Sequence, residues 1–310
     1  MTERFEELSE IRFVRTHCPI CGDEAGAREL YPANVQPQDL SPSTFSARRK
    51  PDRVHYRVVV CTGCGLARAD PVVDTVALMA FYEASHFGYV AQIADLTATY
   101  RAQFARVARS RGPINKLLEV GCGNGFFLKE ALRMGVAEVC GVEASREAVG
   151  RADPDVKDKI ITSPFTGDLF QRDTFDLVCL FQVLDHLPAP AETLKACFSA
   201  LRPGGMILSF HHNLTAVSAR VLRERSPIID VEHTFLFTPK TTRRLLETVG
   251  FGTVSVRPAV NRHSVEYLVS LLPPGAVTSV ISRVASSMRL GGLSLWLPIG
   301  NTVATGVKPS

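Results

Sequence analysis

The segment "LLEVGCGNGFF", residues 117–127, decides the fold of this protein. It begins as an apolar strand, and glycines then follow at three alternate positions, Gly121, Gly123 and Gly125. A glycine turn directly after a strand lets the backbone approach a ligand closely, and such turns commonly receive a nucleotide cofactor. The segment therefore predicts a cofactor loop in an α/β sheet and leaves the cofactor itself open.

The spacing of the glycines separates two classes of cofactor. Dinucleotide enzymes use G-x-G-x-x-G, whereas this loop is G-x-G-x-G with Glu119 two residues before its first glycine. A carboxylate at that position would repel a pyrophosphate but could hold a cationic amino group. Glu143 ends the next predicted strand, where a carboxylate can accept hydrogen bonds from both hydroxyls of a ribose.

The chain after residue 113 alternates between apolar strand segments and helical segments. This alternation predicts an α/β fold with right-handed βαβ units and a mostly parallel sheet covered on both faces. The sequence predicts strands near 116–120, 138–142, 159–162, 175–181, 205–210, 252–257 and 299–307, and helices near 125–134, 145–151, 190–201 and 239–249.

Four motifs in this region occur together in a specific order. They are "LLEVGCGNG" (117–125), "GVEAS" (141–145), "FDLVCLFQVLDHLPAP" (175–190) and "ALRPGGMILSF" (200–210). With these motifs, residues 114–258 resemble a class I S-adenosylmethionine-dependent methyltransferase. The resemblance implies a Rossmann-like sheet of seven strands whose last strand is antiparallel.

The resemblance also implies where S-adenosylmethionine binds. Its methionyl part is expected near Glu119, Gly121 and Gly123, its ribose at Glu143, and its adenine beside the loop 162–165. The implied cofactor contacts are Glu119, Gly121, Cys122, Gly123, Gly125, Glu143, Ala144, Ser163 and Phe181. Enzymes that methylate exocyclic amines of nucleobases usually carry Asn/Asp-Pro-Pro-aromatic after strand four, where this chain has Phe181-Gln182-Val183-Leu184. The resemblance therefore argues against methylation of nucleobase amines.

Two C-x2-C pairs near the N-terminus predict a structural zinc site. They are "CPICG" and "CTGCG", which supply Cys18, Cys21, Cys61 and Cys64. Each pair presents two thiolates from one tight turn, and two pairs complete a tetrahedral site that leaves no open position for catalysis. We therefore expect a zinc-ribbon module over 1–75, a helical linker or lid over 76–110, and a methyltransferase domain over 111–310.

A zinc ribbon followed by a methyltransferase domain resembles a bacterial group that includes deoxysugar C-methyltransferases. The resemblance implies methyl transfer to a small molecule, with a sugar or another secondary metabolite as acceptor and carbon or oxygen as the methylated atom. Two alternatives remain open from the sequence. One is an RNA methyltransferase that uses the ribbon to bind its substrate, and the other is a non-catalytic scaffold protein that has kept the fold.

The candidate catalytic residues follow predicted strands or precede the sheet. His186 follows the fourth strand and His233 precedes the last predicted helix, and we expect one to act as base and the other to orient the acceptor. One residue of the pair His211–His212 is an alternative base. Tyr82 and Tyr89 lie before the first strand of the sheet, where the family often folds a lid over the cofactor.

The composition favours an ordinary globular protein that works in the cytoplasm. Of the 310 residues, 45% are hydrophobic and 21% charged, and the net charge of +4 is spread over the whole length rather than gathered in a basic stripe, which argues against RNA as the main partner. The acidic start "MTERFEELSE" is unlike a signal peptide, and we expect no transmembrane segment. The apolar stretch 264–296 has three open uses, which are packing over the acceptor pocket, a homodimer surface, and contact with a membrane-bound acceptor.

Overall fold

The computed structural model describes residues 11–22, 26–46, 53–86, 88, 90–270, 283 and 292–310. Within these ranges the strands are β1 (Phe13–Val14), β2 (Ala27–Tyr31), β3 (Val58–Cys61), β4 (Ala67–Ala69), β5 (Val72–Val73), β6 (Lys116–Val120), β7 (Glu138–Glu143), β8 (Ile160–Thr162), β9 (Phe175–Phe181), β10 (Leu201–His212), β11 (Phe235–Leu236), β12 (Gly252–Pro258), β13 (Asn261–Ser264), β14 (Ser294–Leu297) and β15 (Asn301–Val307).

The helices in the same ranges are α1 (Thr75–Glu83), α2 (Ile93–Arg111), α3 (Phe126–Arg133), α4 (Arg146–Gly150), α5 (Pro154–Lys157), α6 (Pro190–Ala200), α7 (Val217–Leu222), α8 (Pro239–Val249) and α9 (Val265–Ser270). Short 3-10 turns occur at Pro37–Asp39, Val90–Gln92 and Arg223–Arg225. Among the described residues, no helix combines the length and the apolar character needed to cross a membrane.

A seven-stranded sheet forms the centre of the fold, with the order β12-β15-β10-β9-β6-β7-β8. The five strands from β10 to β8 run parallel to one another. The last strand, β15, is antiparallel to both of its neighbours, β10 and β12. The predicted fold class and the predicted antiparallel last strand are therefore confirmed.

Both faces of this sheet are covered because successive residues of each central strand point to opposite sides. Leu117 of β6 belongs to one hydrophobic core with Tyr100 of α2 and Phe127 of α3. Its neighbour Leu118 belongs to a second core, which includes Leu194 of α6. The continuous apolar sequence of the strands follows from burial on both faces.

A smaller sheet of four strands contains the cysteine-rich region, with the order β11-β4-β3-β2. β2, β3 and β4 come from the first 75 residues and pair antiparallel. The edge strand β11 comes instead from the methyltransferase region, and it pairs with β4 through Phe235↔Arg68 and Leu236↔Ala67. The predicted boundary at residue 75 stays a prediction, but the chain crosses back over it to complete this sheet.

The predicted helices and strands of the large sheet are found close to their predicted positions, and the clearest difference among them is at β10. The predicted strand begins at residue 205, whereas β10 begins at Leu201 and includes the segment "LRPGG" (201–205), which pairs irregularly with β9. Gly205 is packed so closely that a Cβ atom there would lie 2.8 Å from the carbonyl oxygen of Arg202. A local irregularity in register lets the chain stay in the sheet through a segment that resembles a turn.

The apolar stretch 264–296 is described only at its two ends. Asn261–Ser264 and Ser294–Leu297 pair antiparallel as β13 and β14, and α9 follows β13. The rest of the stretch, apart from residue 283, lies outside the described residues. Its three open uses therefore remain predictions.

Candidate active site

The glycine loop begins where β6 ends. Gly121, Gly123 and Gly125 have φ angles of +69°, +56° and +72°, a region that side chains other than glycine rarely adopt. The Gly121 N–H donates to the carbonyl of Val142 at 2.8 Å, and this bond fixes the loop against the end of β7. A Cβ atom on Gly121 would lie 2.4 Å from a methyl carbon of Val183, so the segment after β9 closes over the loop.

Glu143 holds the loop from the end of β7. Its Oε2 atom accepts a hydrogen bond from the Gly123 N–H at 2.8 Å, and its Oε1 atom accepts one from the Ser145 N–H at 2.8 Å. Burial raises the pKa of Glu143, although these backbone donors act in the opposite direction. A carboxylate oxygen can accept more than one hydrogen bond, so the same side chain that shapes the loop can also accept bonds from hydroxyls of a ligand.

Glu119 is a buried carboxylate, and one of its oxygens makes no hydrogen bond within the described part of the chain. Its side chain is 2% exposed, and its Oε2 atom has no hydrogen-bond partner among the described residues. Burial raises the pKa of Glu119 well above its usual range, and the nearby Glu143 raises it further. A cationic group in the adjacent cavity would stabilise the ionised form, so the site fits the ammonium group of an amino acid.

A cavity of about 720 Å³ connects this end of the sheet to a cluster of histidines. A cavity of this size accommodates a cofactor together with a small acceptor. Its lining includes the following residues that the sequence analysis singled out: Glu119, Gly121, Cys122, Gly123, Glu143, Ala144, Ser163, Phe181, Tyr82, His186, His212 and His233. Gly125 does not line the cavity and instead packs against Ile160 and Val156. Tyr89 lies outside the described residues.

An aromatic wall that the sequence analysis missed closes the cavity beside Phe181. The ring of Tyr100 stacks on that of Phe181 with centroids 4.2 Å apart and an interplanar angle of 9°. The ring of Phe126 also stacks on that of Tyr100, with centroids 5.8 Å apart. Tyr100 lies within the long helix α2, where a buried aromatic residue carries no local sign of a ligand site.

The segment after α1 is tied to the cofactor end of the cavity. Ser145, the N-cap of α4, donates from its hydroxyl to the carbonyl of Ser85 at 3.1 Å. The His86 ring lies 2.6 Å from a carboxylate oxygen of Glu147. Ser85 and His86 also line the cavity, so this part of the predicted lid lies beside the cofactor end.

Three histidines from three segments meet at the other end of the cavity. The rings of His186 and His212 each have their centroids 4.7 Å from that of His233. His233 Nδ1 lies 3.0 Å from the carbonyl of Ile228. Because a carbonyl only accepts, Nδ1 carries the hydrogen, and Nε2 is the atom of this ring that can accept a proton. The Tyr82 hydroxyl reaches the backbone carbonyl of His186 at 3.5 Å.

Asp185 underlies the histidine cluster and was not singled out from the sequence. It is 1% exposed, its Oδ2 atom accepts from the His212 N–H at 3.1 Å, and its Oδ1 atom lies 3.8 Å from His186 Nε2. Burial alone would raise the pKa of Asp185, but the adjacent histidines, led by His186, hold it well below its usual range. Burial lowers the pKa of His186 to about 4 against the opposing charge of Asp185. Near neutral pH the cluster therefore combines an ionised carboxylate with a neutral imidazole.

His211 lies away from the cavity, on the other side of β10 from its neighbour His212. It is fully buried, and its two ring nitrogens lie 2.9 Å from the hydroxyls of Ser209 and Thr242. The structure thus places His212 at the cavity and assigns His211 a place in the core.

The buried His211 leads to a prediction about acid stability. Burial lowers its pKa from 6.5 to about 4, although the nearby Asp185 acts in the opposite direction. Below pH 6.5 the His211 ring therefore binds a proton in the unfolded chain but stays neutral in the folded protein. The free energy of unfolding consequently falls as pH drops towards 4. The contribution of one such histidine is at most about 1.4 kcal/mol per pH unit. Urea unfolding at several pH values in this range should show the fall.

The matched variant for this prediction is His211→Gln, which keeps hydrogen-bonding capacity but does not titrate. We expect its unfolding free energy to depend less steeply on pH between 6.5 and 4 than that of the wild-type protein. An identical slope in both proteins would mean that other groups cause the acid sensitivity.

The four N-terminal cysteines converge at one point beside the smaller sheet. The Sγ atoms of Cys18 and Cys64 are 3.3 Å apart, those of Cys21 and Cys61 are 3.5 Å apart, and all four lie within 4.8 Å of one another. Zinc–sulfur bonds of about 2.3 Å place tetrahedral sulfurs roughly 3.8 Å apart. The donor set therefore fits a tetrahedral zinc ion.

A sheet of this topology, with a glycine loop after its first central strand and an acid at the end of the second, is typical of the class I methyltransferases. The chain belongs to the methyltransferase-domain family, whose model matches residues 90–256, that is 167 of its 310 residues. The family predicted from the sequence motifs is confirmed.

Relatives with an established name match part of the chain. The ubiquinone biosynthesis O-methyltransferase of Burkholderia multivorans is 32% identical over 98 residues, which cover 30% of this chain and 42% of that protein. The protein of the same name from Burkholderia pseudomallei strain 1710b is 23% identical over 163 residues, covering 48% and 70%. The match thus spans less than half the length of the first of these relatives. A solved SAM-dependent methyltransferase from Archaeoglobus fulgidus has 19% identity and a TM-score of 0.49, covering 71% of this chain and 99% of that one.

Proposed function

We propose that this protein is an S-adenosylmethionine-dependent methyltransferase that acts on a small molecule. The observation that carries the proposal is a cavity of about 720 Å³ that is lined both by two carboxylates beside a glycine loop and by the histidine cluster. Glu119 suits the donor's ammonium group and Glu143 suits the hydroxyls of its ribose. When bound, the donor supplies a methyl group on a positively charged sulfur.

The acceptor end supports transfer to a hydroxyl group or to an acidic carbon. Transfer of the methyl group to such an acceptor would require the acceptor atom to lose one proton. We propose that His233 or His186 takes this proton while the other histidine and Tyr82 orient the acceptor. The ionised Asp185 stabilises the positive charge that the ring acquires. Tyr89 stays a candidate from the sequence alone.

The acceptor class follows from the lining of the cavity and from the named relatives. Apolar side chains such as Met79, Leu96 and Leu187 also line the cavity. The matched relatives from Burkholderia are named as O-methyltransferases. We therefore propose a small hydroxylated acceptor with an apolar body, a secondary metabolite or a sugar derivative, and prefer oxygen as the methylated atom. We propose that the protein acts in the cytoplasm, where thiols stay reduced and can bind a metal. Formation of a homodimer stays an expectation from the sequence.

Calorimetry with S-adenosylhomocysteine tests the cofactor assignment, and a metabolite screen with a labelled methyl donor tests the transfer. Binding without any labelled product would favour a scaffold protein, and absence of binding would contradict the proposal. An RNA methyltransferase would instead show RNA binding that weakens steeply as salt is raised, because counterions are released on binding.

A separate prediction concerns Glu143. Glu143→Ala is expected to weaken the binding of S-adenosylhomocysteine by roughly 2–4 kcal/mol, because two charge-assisted hydrogen bonds to the ribose are lost. The variant also removes the acceptor of the Gly123 N–H, so the loop loses a support. Glu143→Gln is the matched control, since it keeps the size of the side chain and one acceptor oxygen. Calorimetry should give the highest affinity for the wild-type protein, a lower one for Glu143→Gln and the lowest for Glu143→Ala. Equal affinities would show that Glu143 does not bind the cofactor.

A further inference from the structure

One segment connects the cysteine-rich sheet to the histidine cluster, and we name residues 230–236 the acceptor strap. On one side, the Val231 N–H donates to the carbonyl of Val54 at 2.8 Å, and the Thr234 carbonyl accepts from the Ala69 N–H at 2.8 Å. The strap then continues as β11, which pairs with β4. His233 lies within this strap, between two residues, Val231 and Thr234, whose backbones are hydrogen bonded to the N-terminal part of the chain.

The other side of the strap contacts the loop that carries His186. The Phe235 N–H donates to the backbone carbonyl of Asp185 at 3.1 Å. The ring of His186 contacts the ring of His233 in the strap, with centroids 4.7 Å apart. The strap therefore sets the position of both histidines relative to each other.

The cysteine cluster lies at the turn of the hairpin that binds the strap. Cys61 ends β3, and Cys64 lies in the turn that leads to β4. The Cys61 N–H donates to the carbonyl of Leu66 at 2.9 Å, closing this turn. Leu66, with no exposed surface, packs in one core with the cysteines and with Phe235 of the strap. A metal ion that joins Cys61 and Cys64 to the other two thiols would therefore hold the strand against which β11 pairs.

We propose that the zinc ribbon is a positioning element for the acceptor end of the active site. The ion holds the β3–β4 hairpin, the hairpin holds the strap, and the strap holds His233 against His186. The donor end is built from β6, β7 and the glycine loop, which are joined by their own strand pairing and by the bond from the Gly123 N–H to Glu143. The inference rests on the proposed function for its effect on turnover. Its structural part, the coupling of the metal to the strap, stands independently of that function.

The experiment measures zinc content, hydrogen exchange of the strap, affinity for S-adenosylhomocysteine and turnover in the full-length protein under reducing conditions. Purified protein should contain about one zinc per chain. Removing the zinc with a chelator, or replacing Cys61→Ser, should speed amide exchange in 230–236 by at least about tenfold, because its partner strand is loosened. Exchange in β6 and β7 and the affinity for S-adenosylhomocysteine should change less than about threefold, while turnover falls at least about tenfold.

Cys140→Ser is the matched control, because Cys140 is a partly buried thiol of β7 outside the cysteine cluster and outside the large cavity. This variant should keep the zinc content, the amide exchange rate of the strap and the turnover of the wild-type protein.

If Cys61→Ser unfolds the whole chain, the variant Ala69→Pro tests the contact between hairpin and strap by itself. Proline at this position removes the N–H that binds Thr234 and leaves the thiols in place, so zinc should remain while the strap exchanges faster and turnover falls.

Two results would overturn the proposal. One is an unchanged exchange rate in 230–236 after zinc is lost or in Ala69→Pro. The other is loss of the zinc ion in His233→Ala. Asp185, His186 and His233 also bring potential ligand atoms within 4.8 Å of one another. A zinc ion bound there would affect the histidine cluster directly rather than through the strap. A wild-type protein that binds no S-adenosylhomocysteine but shows the zinc-dependent exchange would contradict the proposed function and leave the coupling intact.

Discussion

Gly123→Val is expected to abolish measurable binding of S-adenosylhomocysteine. The residue has a φ angle of +56°, which a β-branched side chain cannot adopt without strain, and its N–H is bound to Glu143. Gly123 also lines the cavity, so a valine side chain would occupy space that the cofactor needs. Calorimetry measures the affinity, and circular dichroism checks that the sheet remains folded.

Gly135→Val provides the control for backbone strain. Gly135 has a φ angle of +91°, a Cβ atom there would meet no other atom within 4 Å, and the residue does not line the large cavity. We expect this variant to lose some stability and to keep its affinity for S-adenosylhomocysteine. If the two valine variants bind equally well, the glycine loop does not contact the cofactor.

His233→Ala is expected to reduce turnover by roughly 10²- to 10⁴-fold if His233 is the base, the contribution of a positioned general base. Its affinity for S-adenosylhomocysteine should be kept, because the donor end of the cavity is unchanged. The same measurements on His186→Ala identify which of the two rings takes the proton. Single-turnover rates with a labelled donor, once an acceptor is found, provide the readout.

His233→Asn distinguishes a chemical role from a structural one. The amide of asparagine can still donate to the carbonyl of Ile228, as Nδ1 does in the wild-type protein, but it has no basic nitrogen. A base at this position predicts that the Asn variant is as slow as the Ala variant. Recovery of turnover in His233→Asn would show that the ring only supports the strap, and near-full turnover in the alanine variants of both histidines would mean that catalysis relies on alignment.

The amino-acid sequence by itself determined the features that depend on short spacings. The three glycines, Glu119 and Glu143 predict the cofactor end because strand, turn and following acid form one local unit whose geometry is set by the backbone. The two C-x2-C pairs predict a metal site for the same reason, since two residues between thiols suit one tight turn. The alternation of strands and helices predicts the parallel sheet, because hydrophobic periodicity reports burial on one or both faces.

The acceptor end was decided only by the tertiary structure. The alternation of side chains along a strand predicts that His211 and His212 face opposite sides of β10. Only the packing of α8 against one of these sides shows that His211 is the core residue. Asp185 and Tyr100 carry no local signal, because their roles arise from contacts with residues far away in the chain. The strap joins the cysteine-rich sheet through strand pairing of Phe235 with Arg68, and such a pairing depends on register and burial in the folded chain rather than on spacing along the sequence.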